Sequence, residues 1–326
     1  MVLHKEISDF LQENGIAYDT VTISGHSVVA AHISKGRSIS IVPAPISADS
    51  PESAVEYAES LSSCISNLTS NNGERPLIIS EDRWRCQPKT TKARILAHLE
   101  IFIQLYARNC EVRKIDKKTA AEFLKVNHSY GDASCRYRYG LYLKRHTGHN
   151  AKTGTIEPGT LVAVATFSNG RKWIKGDKTI RSYEWTRYAS LPGVRLSGGM
   201  GRLMKAFIAE VQPDDIMTYA DLEWSEGKVY EALGFTLDGW KQPVFFAVDT
   251  NIWSRMPIMS NGSKTGVGIP PSARGRERSA NGPVDFCSEQ PAVAGAAGVN
   301  GNLGLSDYRF FQNFGSNKYR LKLTEY

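Results

Sequence analysis

A glycine-rich turn at residues 195–204, RLSGGMGRLM, is the segment whose composition points most directly to chemistry. Its three glycines leave backbone N–H groups uncovered at the start of an amphipathic helix, and the helix N-terminus adds partial positive charge. Such a turn is suited to binding a diphosphate. The residues expected to contribute amides or positive charge there are Arg195, Ser197, Gly198, Gly199, Gly201 and Arg202.

Two charged residues in predicted strands are candidates for handling protons or phosphates. Asp221 ends the hydrophobic strand IMTYAD at the carboxyl edge, where α/β folds place ligands, and a partly desolvated carboxylate there can orient or deprotonate an amine. Its alternative role is to cap the next segment. Arg187, in the strand SYEWTRYASL, is expected to point inward. In a functional role it would pair with Asp221 or Glu184, or hold a phosphate. In the alternative role it forms an ion pair that only stabilises the fold.

Polar residues near the predicted helix ends extend the candidate site. His128, in VNHSYG, can act as an acid or base near neutral pH or bind a phosphate together with Ser129, and the alternative is that it caps the preceding helix. Trp224 and Ser225 precede a short helix and are candidates for an acyl or base pocket. Packing and helix capping are their alternative roles.

No cysteine has an evident histidine partner, so the candidate site is suited to direct transfer to a bound amine and not to covalent catalysis by a thiol. If the amine belongs to a base in duplex DNA, that base must be flipped out of the helix. The aromatic residues expected to stack on it are Tyr130, Trp185 and Trp224.

The elements that must position these residues suggest four segments. Residues 1–106 read as a small α+β domain, and residues 107–257 as a mixed α/β domain whose apolar strand TLVAVATFS is central. Residues 258–305 are rich in Gly, Ala, Pro and Ser and are predicted to be a flexible linker. Residues 306–326 are predicted to form a terminal β-hairpin around Gly315.

Charge and cysteine content indicate which partners the protein can bind and in which compartment it is expected. The net charge of +7 is concentrated in residues 91–150, which carry 12 basic and 5 acidic side chains, and such a belt can meet an anion such as DNA or form a solvated face. The five cysteines are odd in number and at least 22 positions apart, which predicts reduced thiols in the cytoplasm. Neither a membrane span nor a signal-peptide core is evident, and no bound metal is expected.

The order of the glycine turn, the strand IMTYAD and YEALGF (230–235) resembles the GNAT acyltransferase fold. The family's phosphate loop, Arg/Gln-x-x-Gly-x-Gly/Ala, falls on Leu196, Gly199 and Gly201, so its usual first residue is replaced by leucine. Arg195 and Arg202 are adjacent and can supply the missing positive charge. The resemblance implies acetyl-CoA or another acyl-CoA as cofactor, with Tyr230 offering a phenol to the departing sulfur. Packing in the core is the alternative role of Tyr230.

Within that fold the chain resembles the Mom-type DNA adenine modification proteins and their phage relatives. The segments that carry the resemblance span most of residues 108–250 and are FLKVNHSYG, YEWTRYAS, SGGMGRLMKAFI and TYADLEWSEGKVYEALGF. This resemblance implies an enzyme that uses acetyl-CoA to modify a base in DNA. Two other functions stay open: a non-catalytic DNA-binding protein, and a GNAT enzyme that acts on a protein or a small amine.

The element order of residues 3–102 and the segment EDRW (81–84) resemble the Vsr-like branch of PD-(D/E)xK nucleases. Those domains hold a metal with an Asp and a Glu on the central hairpin. This chain has no Asp or Glu from residue 20 through 48, so a two-carboxylate metal site cannot form on those strands. The first domain is therefore expected to be a degenerate nuclease-like fold without hydrolytic activity, kept for DNA binding or as a packing platform.

Overall fold

The computed structural model describes residues 2–33, 36–145, 155–258 and 307–326. These residues form two compact units, each built from two stretches of the chain. Unit 1 comprises Met1–Pro88 and Gln242–Gly315, and unit 2 comprises Lys89–Lys241 and Ser316–Tyr326. Both units combine helices with β-sheet, which confirms the predicted α+β, mixed-sheet class.

Unit 1 contains two separate sheets. The strands β1 (Tyr18–Ile23), β2 (His26–His32), β3 (Ser38–Ala44) and β4 (Leu77–Ser80) form the first sheet in that order. The strands β14 (Phe245–Asp249), β15 (Ser254–Pro257) and β16 (Tyr308–Gln312) form the second, with β14 in the middle. The helices of this unit are α1 (Val2–Glu13), α2 (Pro51–Asn72) and α3 (Glu81–Cys86).

The EDRW segment is used inside unit 1 for packing and ion pairing. Asp82 is buried and bonds to the buried guanidinium of Arg255, whose Nη2 also donates to the Ser80 hydroxyl at 2.9 Å. The indole of Trp84 donates to the Glu6 carboxylate at 2.8 Å. Because a buried charge is tolerated only when it is paired, these contacts explain why the segment is charged yet buried.

Unit 2 is organised around one large sheet. Its strands are β6 (Cys110–Lys114), β7 (Tyr137–Leu143), β8 (Leu161–Phe167), β9 (Arg171–Lys175), β10 (Lys178–Ser190), β12 (Asp215–Asp221), β13 (Thr236–Lys241) and β17 (Ser316–Lys322). The order across the sheet is β13-β17-β12-β10-β8-β7-β6, with β9 paired to the first half of β10. The apolar strand β8 lies in the middle and is almost wholly buried, as its composition predicted.

Helices cover both faces of the unit 2 sheet. The remaining elements are α4 (Pro88–His98), α5 (Lys117–Asn127), α6 (Gly199–Val211), α7 (Lys228–Ala232) and the short parallel pair β5 (Ile103–Tyr106) and β11 (Val194–Ser197). Phe207 of α6 stacks on Phe167 of β8 with ring centroids 3.9 Å apart, whereas Phe123 and Leu124 of α5 pack with Val164 of the same strand. Because neighbouring residues of a strand point to opposite faces, α5 and α6 cover different faces.

The observed organisation differs from the predicted boundaries. The predicted terminal hairpin is wrong, because β16 pairs with β14 whereas β17 pairs with β12 and β13. The strand FFAVD (245–249), expected in the second domain, belongs to unit 1. The division at residues 106 and 107 moves to Pro88, since β5 pairs with β11 of unit 2. The predicted linker lies outside the described residues, apart from Ile258.

Two further observations concern the described part of the chain. None of its helices combines the length and apolar character needed to cross a membrane. Of the five cysteines, the four that the structure describes, Cys64, Cys86, Cys110 and Cys135, form no disulfide bond.

Candidate active site

The large sheet of unit 2 splits between its two adjacent parallel strands. β10 and β12 are paired only over Ser182–Glu184 and Asp215–Met217. Further along, β10 follows β8 and β12 follows β17, and a register shift between Trp185 and Arg187 marks the start of the divergence. The Thr218 hydroxyl donates to the Trp185 carbonyl at 3.0 Å where the strands part. This fork opens toward the carboxyl ends of parallel strands, where α/β proteins bind ligands.

The predicted glycine turn leads into α6, on the segment of chain that connects β10 with β12. Gly198 adopts a left-handed conformation with φ 76° and starts the helix without a side-chain cap, so the first N–H groups of α6 are not taken by a capping side chain. Ser197 and Gly198 are exposed, whereas Gly199 is buried. The outer side of the turn is therefore open to solvent and suited to an anion.

The inner side of the same turn is filled. A Cβ atom at Gly199 would lie 2.8 Å from the Leu196 side chain and 2.9 Å from the Tyr188 hydroxyl, distances that real Cβ atoms do not reach. Burial strongly raises the pKa of Tyr188, so its phenol stays neutral against the helix start. Leu196, which replaces the charged first residue of the GNAT pattern, thus packs beneath the turn.

Two arginines flank the turn as predicted from the sequence. Arg195 is exposed and its guanidinium lies over the Phe102 ring, 5.2 Å from the centroid. Arg202, in the first turns of α6, donates from Nη1 to the Ala107 carbonyl at 2.7 Å. Neither contact neutralises the guanidinium, so both arginines contribute positive charge beside the open amides.

Tyr230 of α7 lies at the fork, among aromatic residues. Its ring contacts those of Trp185, Phe235 and Tyr319, with centroids 5.6–6.1 Å apart. Burial raises the pKa of Tyr230, and the nearby Thr218 side chain partly offsets that shift. Tyr230 and Thr218 thus lie close together where the two strands part. A neutral phenol in this position can donate a proton.

Asp221 ends β12 and holds two groups at once. Its Oδ2 accepts a hydrogen bond from the Tyr130 hydroxyl at 2.5 Å, and its Oδ1 accepts one from the Glu223 amide at 3.0 Å. Its carbonyl accepts from the amides of Trp224 and Ser225, both at 2.8 Å. The residue therefore caps the following turn and also presents a carboxylate at the open end of the fork. The contact with Tyr130 joins residues 91 positions apart.

Arg187 makes different contacts from those expected. Its Nε donates to the Gly131 carbonyl at 3.1 Å and its Nη1 to the Thr186 carbonyl at 2.8 Å. Its guanidinium also lies 5.9 Å from the centroid of the Tyr130 ring, and burial lowers its pKa. The predicted ion pair with Asp221 or Glu184 is wrong, because within the described chain Arg187 reaches no carboxylate. It is linked to Asp221 indirectly, through Tyr130.

The remaining sequence-predicted residues have structural contacts. His128 ends α5, and its Nδ1 accepts from the Tyr130 amide at 3.0 Å, which fits the capping alternative, while Ser129 beside it is buried. Trp185 is only 2% exposed and belongs to the core, so the prediction that it stacks on a substrate is wrong in this conformation.

The segment that carries Trp224 and Ser225 is tied to α4. Arg94 lies over the Trp224 ring at 4.4 Å from the centroid and donates to the Trp224 carbonyl at 2.6 Å. The Ser225 hydroxyl accepts from the Gly227 amide at 3.1 Å. These contacts fix the segment that directly follows Asp221.

Sequence reasoning missed several residues that the structure brings to the fork. Thr218 and Tyr188 read as ordinary strand residues, and their roles depend on which face of the sheet each occupies. The sequence shows an alternating strand pattern at SYEWTRYASL, but the register shift between Trp185 and Arg187 that sets these faces is seen only in the structure. Among the residues that the structure describes, no three His, Cys, Asp or Glu side chains are grouped closely enough to hold a metal ion.

Comparison with family models and with curated proteins gives no match. Among solved structures, a chain of the NatC complex crystallised with Gag peptide and CoA is similar, at 11% identity and a TM-score of 0.31, over 66% of this chain and 99% of that one. Eis1 from Mycobacterium abscessus matches at 13% identity and a TM-score of 0.30, over 44% of this chain and 34% of its own.

A third similar structure is a conserved protein of unknown function from Enterococcus faecalis V583, described as a probable N-acyltransferase. It matches at 12% identity and a TM-score of 0.29, over 44% of this chain and 35% of its own. This chain thus spans about a third of the last two proteins. TM-scores at this level carry no argument about activity, which must rest on the geometry of the fork.

Proposed function

We propose that unit 2 is an acyl-CoA-dependent N-acyltransferase that modifies a base in DNA. The observation that carries the proposal is the fork between β10 and β12, with an uncapped glycine helix start on the connection between its strands and the half-buried Tyr230 beside Trp185, where the strands part. The uncapped helix start can bind a diphosphate, and the tyrosine hydroxyl can give a proton to a departing thiolate.

The residues present fit acetyl-CoA or another acyl-CoA. The uncapped amides of the Ser197–Gly201 turn and the guanidinium groups of Arg195 and Arg202 would hold its diphosphate. The cofactor supplies an activated acyl thioester. Its thioester end would lie in the fork, near Tyr230 and Thr218.

The proposed reaction is direct transfer. The acceptor nitrogen attacks the thioester carbonyl carbon, the C–N bond forms and the C–S bond breaks. Asp221, held by Tyr130, accepts the proton that leaves the nitrogen, and Tyr230 gives its proton to the departing sulfur. Because burial raises the pKa of Tyr230, the phenol is protonated over the whole physiological pH range.

A nucleic acid as acceptor is supported by the hairpin of β9 and the start of β10. Arg171–Lys175 and the following Gly176–Thr179 are all exposed, and five basic residues outnumber the single acidic Asp177 between positions 171 and 181. Trp173 is 52% and Ile174 80% exposed beside them. Basic side chains interleaved with an exposed aromatic ring are typical of nucleic-acid-binding surfaces.

For unit 1 the proposal is a non-hydrolytic role in DNA binding or packing. The Asp82 carboxylate is occupied by Arg255, and the Glu81 Oε2 atom accepts from the Ile46 amide at 3.1 Å. Neither carboxylate of the EDRW segment is therefore placed to bind a metal as in a nuclease.

The deciding test is mass spectrometry of nucleosides from DNA co-expressed with the full chain. The proposal predicts an acylated base that is absent when Asp221→Asn replaces the wild type. Unmodified DNA from a strain with ample protein would contradict the nucleic-acid part. Acetyl-CoA-dependent acylation of a protein or small amine would then identify the other acceptor class.

The hairpin has its own matched test. Lys172→Glu is expected to weaken binding to duplex DNA at low salt, because it replaces an attractive charge with a repulsive one on an exposed surface. Lys205→Glu, at an exposed lysine on α6 of the same unit, is the control for the change in net charge. Equal affinities of the two variants would remove the hairpin from the DNA interface.

A further inference from the structure

A row of polar side chains crosses three neighbouring strands of the unit 2 sheet. Thr166 of β8 lies directly opposite Arg138 of β7 on one side and opposite Arg187 of β10 on the other. Residues opposite each other in a ladder point to the same face, so the three side chains form one row. The preceding row on that face, Gly140–Val164–Ala189, is covered by apolar residues of α5.

The loop that follows α5 covers the polar row. Arg187 donates to the Gly131 carbonyl at 3.1 Å, and Arg138 donates from Nη2 to the Cys135 carbonyl at 2.7 Å. Both guanidinium groups are half-buried, yet neither forms an ion pair within the described chain. The carboxylates of Glu184 and Asp132 act on Arg187 from a distance without forming such a pair, so these partly desolvated cations can accept an anion.

Three buried polar atoms in this place have no hydrogen-bond partner. They are the Thr166 hydroxyl, on a residue that is 0% exposed, the Arg138 Nε and the Asp132 Oδ1. The Cys135 thiol neighbours the Thr166 hydroxyl without forming a hydrogen bond of acceptable geometry. Native proteins satisfy nearly all buried polar groups, so such a cluster is a candidate for binding a polar ligand.

We infer that the Arg138–Thr166–Arg187 row is the subsite that recognises a phosphate of the nucleic-acid acceptor. The Arg138 Nε and the Thr166 hydroxyl would donate to its oxygens, and Asp132 would accept from an N–H or O–H group of the same ligand. The inference rests on the proposed function, because Tyr130 connects this row to the Asp221 carboxylate.

The row is placed for the acceptor and not for the acyl donor. The next row along the strands, Tyr137–Phe167–Trp185, points to the opposite face, where Phe207 of α6 packs on Tyr137 and Phe167. The glycine turn begins that same helix. The donor diphosphate and the acceptor oxyanion thus approach from different faces of the sheet and meet at the fork.

The test is a thermal-unfolding titration of the full chain with inorganic phosphate and, separately, acetate, at constant ionic strength, each with and without CoA. The variants are Arg138→Gln and Thr166→Val, and the control is Arg113→Gln, an exposed arginine of β6 paired with Glu111. Wild type and control are expected to show a midpoint that rises with phosphate. Both subsite variants are expected to lose most of that rise, and Thr166→Val should be no less stable than wild type without the anion.

The outcomes separate the ligand sources and the two proposals. A response to phosphate supports the inference, whereas a response to acetate alone overturns it in favour of an acceptor that carries a carboxylate, such as an amino acid or peptide. No oxyanion response in wild type, or an equal response in all four proteins, overturns the inference. If the inference fails in this way but CoA still raises the midpoint, only the inference is wrong and the proposed function stands. An oxyanion response without any CoA-induced rise would count against the proposed function.

Discussion

Replacing Gly199 with alanine tests whether the turn before α6 binds the acyl donor. The new Cβ would lie 2.8 Å from Leu196 and 2.9 Å from the Tyr188 hydroxyl, so either the helix start or its support must move. Overpacking of this kind costs about 1–3 kcal/mol. For a domain of this size that corresponds to a fall of roughly 2–12 °C in the unfolding midpoint.

The effect on acetyl-CoA binding is the more informative quantity. At a concentration one hundred times its Kd, acetyl-CoA should stabilise the wild type by about 2.7 kcal/mol, which is a rise of roughly 5–11 °C. Gly199→Ala is expected to lose most of that rise, because the displaced amides no longer converge on the diphosphate. The assay is thermal unfolding with and without acetyl-CoA.

Gly140→Ala is the matched control for overpacking. Gly140 lies on β7, away from the turn, and its Cβ would lie 2.6 Å from the Leu161 Cδ1 of β8, so the variant should lower the midpoint but keep the acetyl-CoA shift. A full acetyl-CoA shift in Gly199→Ala would refute the assignment of the turn. If both variants lose the acetyl-CoA shift, general destabilisation would explain the loss.

Three further predictions concern Tyr230, alkaline pH and unit 1. Tyr230→Phe keeps the ring packing and should lower the transfer rate by about 10²–10⁴ while leaving the acetyl-CoA shift unchanged, as followed by labelled acetyl transfer. Burial raises the pKa of Tyr188 and Tyr230 above the value of about 10 that tyrosine has in the unfolded chain, so their contribution to stability is complete below pH ~10 and is lost as the pH rises through the folded-state values. Thermal-unfolding midpoints measured between pH 8 and 11 should therefore be constant at first and begin to fall above pH ~10. Asp82→Ala leaves Arg255 buried without its carboxylate and should destabilise unit 1 by about 3–5 kcal/mol in denaturant unfolding.

The sequence predicts the elements of unit 2 better than their pairing. The apolar run at 160–168 and the glycine-rich helix start are local signals, because burial on both sides and backbone freedom are visible in composition. The place of β17 between β12 and β13 is not visible in this way. Two strand-like runs around a glycine read as a hairpin, whereas β17 pairs with strands that lie about 80–100 positions earlier in the chain.

The candidate site shows the same limit at the level of single residues. Asp221 and Tyr230 were found because strand ends and short helices are recognisable, and the resemblance to acyltransferases drew attention to them. The contacts of Arg187 were mispredicted because the register shift after Trp185 changes the alternation on which an inward assignment depends. The link from Tyr130 to Asp221 spans 91 positions and follows only from the folded sheet.

Hydrogen exchange of the full chain with and without acetyl-CoA tests the central claim most directly. The account predicts slower exchange in peptides that contain the amides of residues 197–202 and in those from both strands of the fork, 184–190 and 218–221. The strands β1–β4 of unit 1 should exchange at unchanged rates. Unaltered exchange at residues 197–202 under saturating acetyl-CoA would contradict the account.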